Sequence, residues 1–337
     1  MSTAAGPGMP PGYERLTGSE RTPRPGYRAV GPAPGDEPVR VVVKVRPRAP
    51  LPDPVRLAAV RPSQRPAPAT HDGHAAAHGA AQADMEAVLG FAHEHGLTVE
   101  EADPDARLIV LTGTVERMSA AFHTRLERYE SEDPDVHRSY RGRVGHVHVP
   151  AHLEPVITSL SGLDDRRQVR PRPLAAHTAP EVQYTPIDLA QIYAFPPRLD
   201  GSGQTIGLLE FGGGYRDADL DEFFTQMRLP RPRVTPVSVD GTPNAPGNPD
   251  ADGEVVLDIT IAGGMAPGAA IVVYFAQFTE AGWVEALTKA IHDTHRRPSV
   301  ISISWGWSEL EGDTEFAWTP QALREVDTVL KEAANLG

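Results

Sequence analysis

The 337-residue chain contains no cysteine. That excludes disulfides, thiolate nucleophiles and any zinc site built on Cys. It also lacks an excess of positive charge: 32 Lys and Arg stand against 45 Asp and Glu, for a net charge of −13 at pH 7. Nucleic-acid binding needs Lys and Arg clustered on one face, so no nucleic-acid partner is expected. No run approaches the ~20 apolar residues of a membrane span, so no membrane partner is expected either. The opening residues MSTAAGPGMPPGYERL show no basic stretch followed by an apolar one, so no signal peptide is visible. Proline, by contrast, is abundant at 34 residues and is concentrated in the first part of the chain.

The length suits two domains. Residues 1–38, rich in Pro, Gly and Ala, are expected to form a disordered tail. Val39 to Val45 reads as an apolar strand. Met85, Val88, Leu89 and Ala92 recur at helical spacing, which predicts a helix from Ala80 to His95 with Gly96 as its C-terminal stop. Strands are expected at Leu97 to Glu100, Leu108 to Thr112, around Tyr129 and at Val144 to Val149. Further helices are expected at Ser119 to Phe122 and about Glu154 to Ser161. Over residues 39–164 this order suits a ferredoxin-like α/β domain. Residues 165–183 are basic and proline-broken, and read as a linker. From Gly203 on, strands and helices alternate, which predicts a doubly wound parallel sheet.

Two carboxylates stand out, Glu254 and Asp258, set in the otherwise apolar stretch GEVVLDITI. On a helix, positions i and i+4 share a face about 5–6 Å apart. Two like charges so close in a low dielectric cannot both ionise cheaply, so a proton is shared and one pKa rises. That suits general acid–base work in acid. A pair of carboxyls flanking a glycosidic bond would instead come from separate elements about 5–9 Å apart. Glu210 ends the strand TIGLLE, at the carboxyl end where α/β active sites lie. Read from its position alone, it is a strand-end residue that hydrogen-bonds the following glycine turn. That turn, Gly212-Gly213-Gly214, lacks the spacing of a phosphate-binding loop. Ser302 and Ser304 fall on one face of the buried strand SVISISWGW, where Ser304 reads as a candidate nucleophile or, with Ser302, as a core or substrate-lining residue. His71, His74 and His78, and the pair His93 and His95, have metal-like spacing but no visible second shell. No metal ligands are assigned in this chain.

The run GEVVLDITIAGGMAPGAAIVVYFA (Gly253 to Ala276) resembles the sedolisin family, the serine-carboxyl peptidases, in their kumamolisin-like form. Five other regions agree. Thr205 to Arg216 is similar to the first strand and turn of that family's catalytic domain. Tyr184 to Pro197 resembles its mature N-terminus, and Pro298 to Trp307 its central strand. Gly113 to His123 and Val156 to Leu174 resemble its pro-domain. The resemblance spans roughly residues 39 to 337 and implies a subtilisin-like fold for the second domain. It makes 39–164 a pro-domain, 165–183 a linker whose maturation region lies within Arg172 to Pro180, and 184–337 the leading part of the catalytic domain. It also implies that Glu254 is the base that takes a serine proton and Asp258 the group that orients it. Glu210 and Trp305 would support them, and Ser304 and Gly306 would line the substrate cleft. Polypeptide substrates, export from the cell, calcium and an inhibitory pro-domain released in acid follow from the same likeness.

The family's G-T-S-x-x-x-P nucleophile string and S-G-D oxyanion string do not occur here. The nucleophile is therefore absent from this chain, and the family's calcium site is expected beyond Gly337. Residues 335–337 end a helix rather than a domain. The expectation is an N-terminal fragment of a longer precursor, inactive by itself. The competing expectation is a non-catalytic truncation that acts as an inhibitor or interaction module through its pro-domain.

Overall fold

Alternation in Pro38–Val45 explains the first sheet. Val39, Val41, Val43 and Val45 point into one core, while Val42 and Lys44 belong to the other face. The computed structural model describes residues 10–133, 138–167, 170–171, 184–196, 198–306 and 318–337. These group into two compact units. The first comprises residues 1–168, 279–284 and 308–337, the second residues 169–278 and 285–307.

The first unit opens with β1 (Tyr13–Arg15), β2 (Tyr27–Pro32) and β3 (Pro38–Val45). Helices α1 (Pro54–Ala58), α2 (His71–His78) and α3 (Gln82–Glu94) follow. Next come β4 (Thr98–Asp103), β5 (Leu108–Thr114) and α4 (Val115–Ala121). Then β6 (Glu127–Ser131), β7 (Ser139–Gly142), β8 (His148–Pro150) and β9 (Ile157–Ser161) complete the run. An antiparallel sheet has the order β4-β5-β3-β9. On one face, Met85, Val88 and Phe91 of α3 and Val115 and Met118 of α4 join the valines of β3. Smaller pairings, β2-β6-β7 and β1-β8, accompany it.

Two expectations are corrected in this unit. Residues 10–38 are not a tail: β1 and β2 are paired, and Leu16, Ser19, Arg21 and Arg24 are buried. Composition misled because these residues are held by polar contacts, such as the 2.9 Å ion pair of Arg21 with Glu280, rather than by an apolar pattern. The helix expected at Glu154 to Ser161 is instead β9. Its β-branched Ile157 and Thr158 suit a strand, and its backbone completes the ladder of β3.

The second unit begins with β10 (Arg170–Pro171) and α5 (Pro186–Ile192). It continues through β11 (Thr205–Glu210), α6 (Asp217–Met227), β12 (Val234–Ser238), α7 (Pro249–Met265) and β13 (Ala270–Phe275). Helix α8 (Glu280–Ile291) begins among the residues of the first unit and ends among those of the second. Strands β14 (Val300–Ile303) and β15 (Trp305–Gly306) follow, and α9 (Pro320–Leu336) belongs to the first unit. Strands β12-β13-β11-β14 form a wholly parallel sheet. Its central strands are apolar almost throughout, as burial on both faces requires. The maturation region expected within Arg172 to Pro180 lies outside the described residues. No described helix is long and apolar enough to cross a membrane.

Candidate active site

Helix α7 presents the two carboxylates. Asn248 caps its first turn and Pro249 occupies the first helical position, where a missing N–H costs nothing. Val255, Ile259 and Gly263 bury one stripe. That leaves Glu254 and Asp258 half-buried on an adjoining face. The glycine turn is fitted against this helix. Gly213 has φ +69°, and a Cβ there would lie 2.7 Å from the backbone of Ala251. Asp252 fastens the turn by accepting from Gly214 N at 2.9 Å and Gly247 N at 2.7 Å.

A third carboxyl reaches this face from β11. Glu210 is fully buried at the strand's carboxyl end. Trp305 Nε1 donates to Glu210 Oε2 at 2.7 Å. The Trp305 ring is wedged edge-on between Phe278, 4.8 Å away, and Phe211, 6.0 Å away. Between β14 and β15, Ser304 places its hydroxyl 2.8 and 2.7 Å from the two oxygens of Asp258. Gly306 lies in β15, which pairs antiparallel with β10: Trp305 faces Pro171 and Gly306 faces Arg170. The short β10 segment also lies against α7. Ser302 remains in β14, paired with Leu208.

All three carboxyls are biased toward their protonated forms. Burial pushes Glu210 up to about 9, helped by the charges of Asp258 and Glu254 and opposed by the Trp305 hydrogen bond. Burial raises Asp258 as well, against the hydrogen bonds of Ser304 and Glu210. Burial and then the charge of Asp258 raise Glu254, against the Ser304 hydroxyl. Among the described residues, none donates to the buried Glu210 Oε1. Protonated, that oxygen becomes a donor to Asp258, which satisfies both groups. The sequence pointed to a proton held within the Glu254–Asp258 pair, whereas the strongest upward shift falls on Glu210.

Three of the histidines with metal-like spacing have polar neighbours in the structure. His74 Nδ1 lies 2.9 Å from Asn335 Nδ2, His78 Nδ1 lies 3.2 Å from Ala49 O, and His95 Nε2 lies 3.2 Å from Tyr13 Oη. Calcium calls for six to eight oxygen ligands, carboxylates in their ionised form among them. Carboxyls biased toward protonation do not fit that ion.

Fold and site together define a mixed α/β protein built around a buried carboxyl network. Comparison with known proteins gives that class a family. Residues 25–166 match the profile described as "Pro-kumamolisin, activation domain". The chain is 39% identical to kumamolisin of Bacillus sp. (strain MN-32) over 340 residues, 96% of this chain and 60% of that protein. It is 28% identical to tripeptidyl-peptidase sed5 of Aspergillus fumigatus, over 86% of this chain and 55% of the relative. It is 24% identical to sedolisin of Pseudomonas sp. (strain 101), over 69% and 41%. Among solved structures, Pseudomonas sedolisin complexed with two molecules of pseudo-iodotyrostatin aligns with 46% of this chain and 42% of its own, at 22% identity and a TM-score of 0.39. The chain belongs to the sedolisin family of serine-carboxyl peptidases and is kumamolisin-like. It spans 41–60% of the length of these curated relatives.

Proposed function

We propose that the chain is the activation domain and leading catalytic portion of an acid-acting serine-carboxyl endopeptidase precursor. The observation that carries this reading is the network of Glu254, Asp258, Glu210, Ser304 and Trp305 around one face of α7. A serine hydroxyl is a weak nucleophile until a neighbouring base accepts its proton. Glu254 is the proposed base and Asp258 its orienter. Glu210 is a protonated support that hydrogen-bonds Asp258 and is held by Trp305. A raised carboxyl pKa keeps such a set working in acid, where an ordinary carboxylate would already be protonated. The attacking serine belongs to a string these 337 residues do not contain, so they are proposed to be inactive as they stand.

Substrates are proposed to be polypeptides in extended form. The pairing of β10 with β15 supports this, because a strand laid along Trp305–Gly306 is how an extended peptide adds to a sheet edge. The same pairing supports inhibition by the chain's own residues ahead of 184. The proposed domains are 39–164, joined by the paired residues 10–38 ahead of it, for the activation domain, 165–183 for the linker and 184–337 for the catalytic portion. The strand order β4-β5-β3-β9, with helices between β3 and β4 and between β5 and β9, supports a ferredoxin-like activation domain. A subtilisin-like catalytic fold, calcium and export from the cell are proposed on family grounds.

The test is self-processing of the complete gene product on acidification, followed by mass spectrometry. Cleavage within Arg172 to Pro180 is expected, and Glu254→Ala should abolish it. Processing that persists in the variant would remove Glu254 from the role of base.

A further inference from the structure

We infer that Asp252 is a positioning residue: it holds the glycine turn after β11 against the first turn of α7, where that turn closes the amino end of the face carrying Glu254 and Asp258. The inference rests on the reading of Glu254 as base and Asp258 as its orienter. Asp252 uses both carboxylate oxygens on the backbone of two different segments. Oδ1 accepts from Gly214 N at 2.9 Å, four residues past Glu210, and Oδ2 accepts from Gly247 N at 2.7 Å, next to the helix cap Asn248. The two segments are also tied to each other. Ala245 N donates to Gly213 O at 3.1 Å. The Asn244 side chain accepts from Tyr215 N at 2.8 Å and donates to Tyr215 O at 3.1 Å.

Helical spacing makes this clamp bear on the carboxyls. Ala251 lies three residues before Glu254 and seven before Asp258, spacings that put it on their side of α7. Gly213 rests directly on buried Ala251, one helical turn ahead of Glu254. The fit leaves no slack, since a Cβ on Gly214 would lie 2.6 Å from Pro246 N and Gly213 is itself left-handed. Asp252 sits two residues from Glu254, a spacing at which helical side chains do not face each other, so it acts through the turn. Asparagine could make only one of the two bonds, because its amide nitrogen would meet the second N–H donor to donor. A negative side chain also suits the first turn, where the helix dipole favours it. Strand β11 delivers Glu210 into this turn, so the same clamp fixes α7 against the strand that carries the third carboxyl. Burial raises Glu254 and Asp258, and a turn lifted off α7 would admit water and lower them.

The test titrates Glu254 by NMR in the 337-residue chain with 13C-labelled carboxyls, for wild type, Asp252→Ala, Gly213→Ala and the double variant. Gly213→Ala lifts the turn and leaves the Asp252 charge in place. Each single variant should lower the Glu254 midpoint toward the ordinary carboxylate range. The double variant should lower it little further, because both changes act on one turn. A midpoint unmoved in Gly213→Ala, or shifts that add in the double variant, would overturn the inference. Asp293→Ala is the comparison for general loosening. Its carboxylate accepts from His295 N at 3.0 Å and Arg296 N at 2.8 Å ahead of β14, at the amino end of the parallel sheet. It should leave Glu254 unmoved, and an equal shift there would also overturn the inference. Should Asp252→Ala fail to fold, Asp252→Asn, which keeps one acceptor, replaces it in the same cycle. In the complete gene product Asp252→Ala should lower kcat by up to about 10²-fold with KM little changed. The titration reads no turnover. A wild-type rate in Glu254→Gln would sink the proposed function and leave the clamp standing, and an unmoved titration would do the reverse.

Discussion

Burial of Glu210 gives stability a direction with pH. Its folded value of about 9 lies far above the unfolded 4.5, so between those values the folded state holds a proton the unfolded state has released. The contribution is fully present below about 4.5 and is lost as pH rises through about 9. Glu210→Gln keeps a neutral acceptor for Trp305 and should flatten this slope in urea unfolding followed from pH 5 to 9; an unchanged slope would place the titration elsewhere. Trp305→Phe removes the donor that favours ionised Glu210, so the Glu210 midpoint should rise above its wild-type value in a carboxyl titration. A fall would contradict the assigned hydrogen bond. At this scale the sequence exposed Glu254 and Asp258, because they sit four residues apart among apolar neighbours. It could only offer alternatives for Glu210, whose bond to Trp305 joins residues 95 positions apart. The contact of Ser304 with Asp258, across 46 positions, left no local signal at all.

The decisive element is α9, which covers the second face of the antiparallel sheet. Val42, Leu108 and Val110 meet Ala322 of α9 and Ala281 and Val284 of α8 there. Fully buried Arg107 bonds Glu332 at 2.7 Å, Glu325 at 2.8 Å and Val45 O at 2.6 Å. Lys44, also buried, donates to Ala106 O at 2.7 Å and lies 3.8 Å from Glu325. Removing one partner leaves buried charge uncompensated, so Arg107→Met should cost about 3–5 kcal/mol in chemical unfolding of the first unit. A loss under about 1 kcal/mol, the range of a surface pair, would contradict that account. A histidine cluster adds a second pH effect. His123 packs edge-on against Tyr13 at 4.4 Å, and His148 Nδ1 lies 3.1 Å from His123 O. Burial, then His148 and His95, hold His123 below its usual range. The charge of Glu94 acts on Tyr13 in the cluster. The unfolded chain thus takes the proton first, and stability should fall as pH drops below about 6.5 toward the lowered folded value. His123→Asn, which tolerates the left-handed φ of +40°, should reduce that loss in acid-unfolding curves; an undiminished loss would contradict it.

Element type was legible where pattern and burial agree. Strands β11 and β13 are near-continuous apolar runs, and helix α3 carries apolar residues at helical spacing, so each follows its pattern. Strand β9 was misread because Leu153, Val156, Ile157 and Leu160 can be spaced as on a helix, and only pairing with β3 decides it.

For the whole molecule, the family was legible because several separate motifs fall in one order. The pairing of residues ahead of 38 was not, because buried arginines such as Arg21 and Arg24 look like surface charge in a proline-rich stretch. The central claim is that Glu254 serves as the base of a peptidase active in acid. Its most direct test is the initial rate of peptide release from an unfolded polypeptide at about pH 4 by the complete gene product, with and without Glu254→Gln. Loss of general-base catalysis should lower the rate about 10²–10⁴-fold with the fold intact. A Glu254→Gln protein that releases peptides at the wild-type rate would contradict the account.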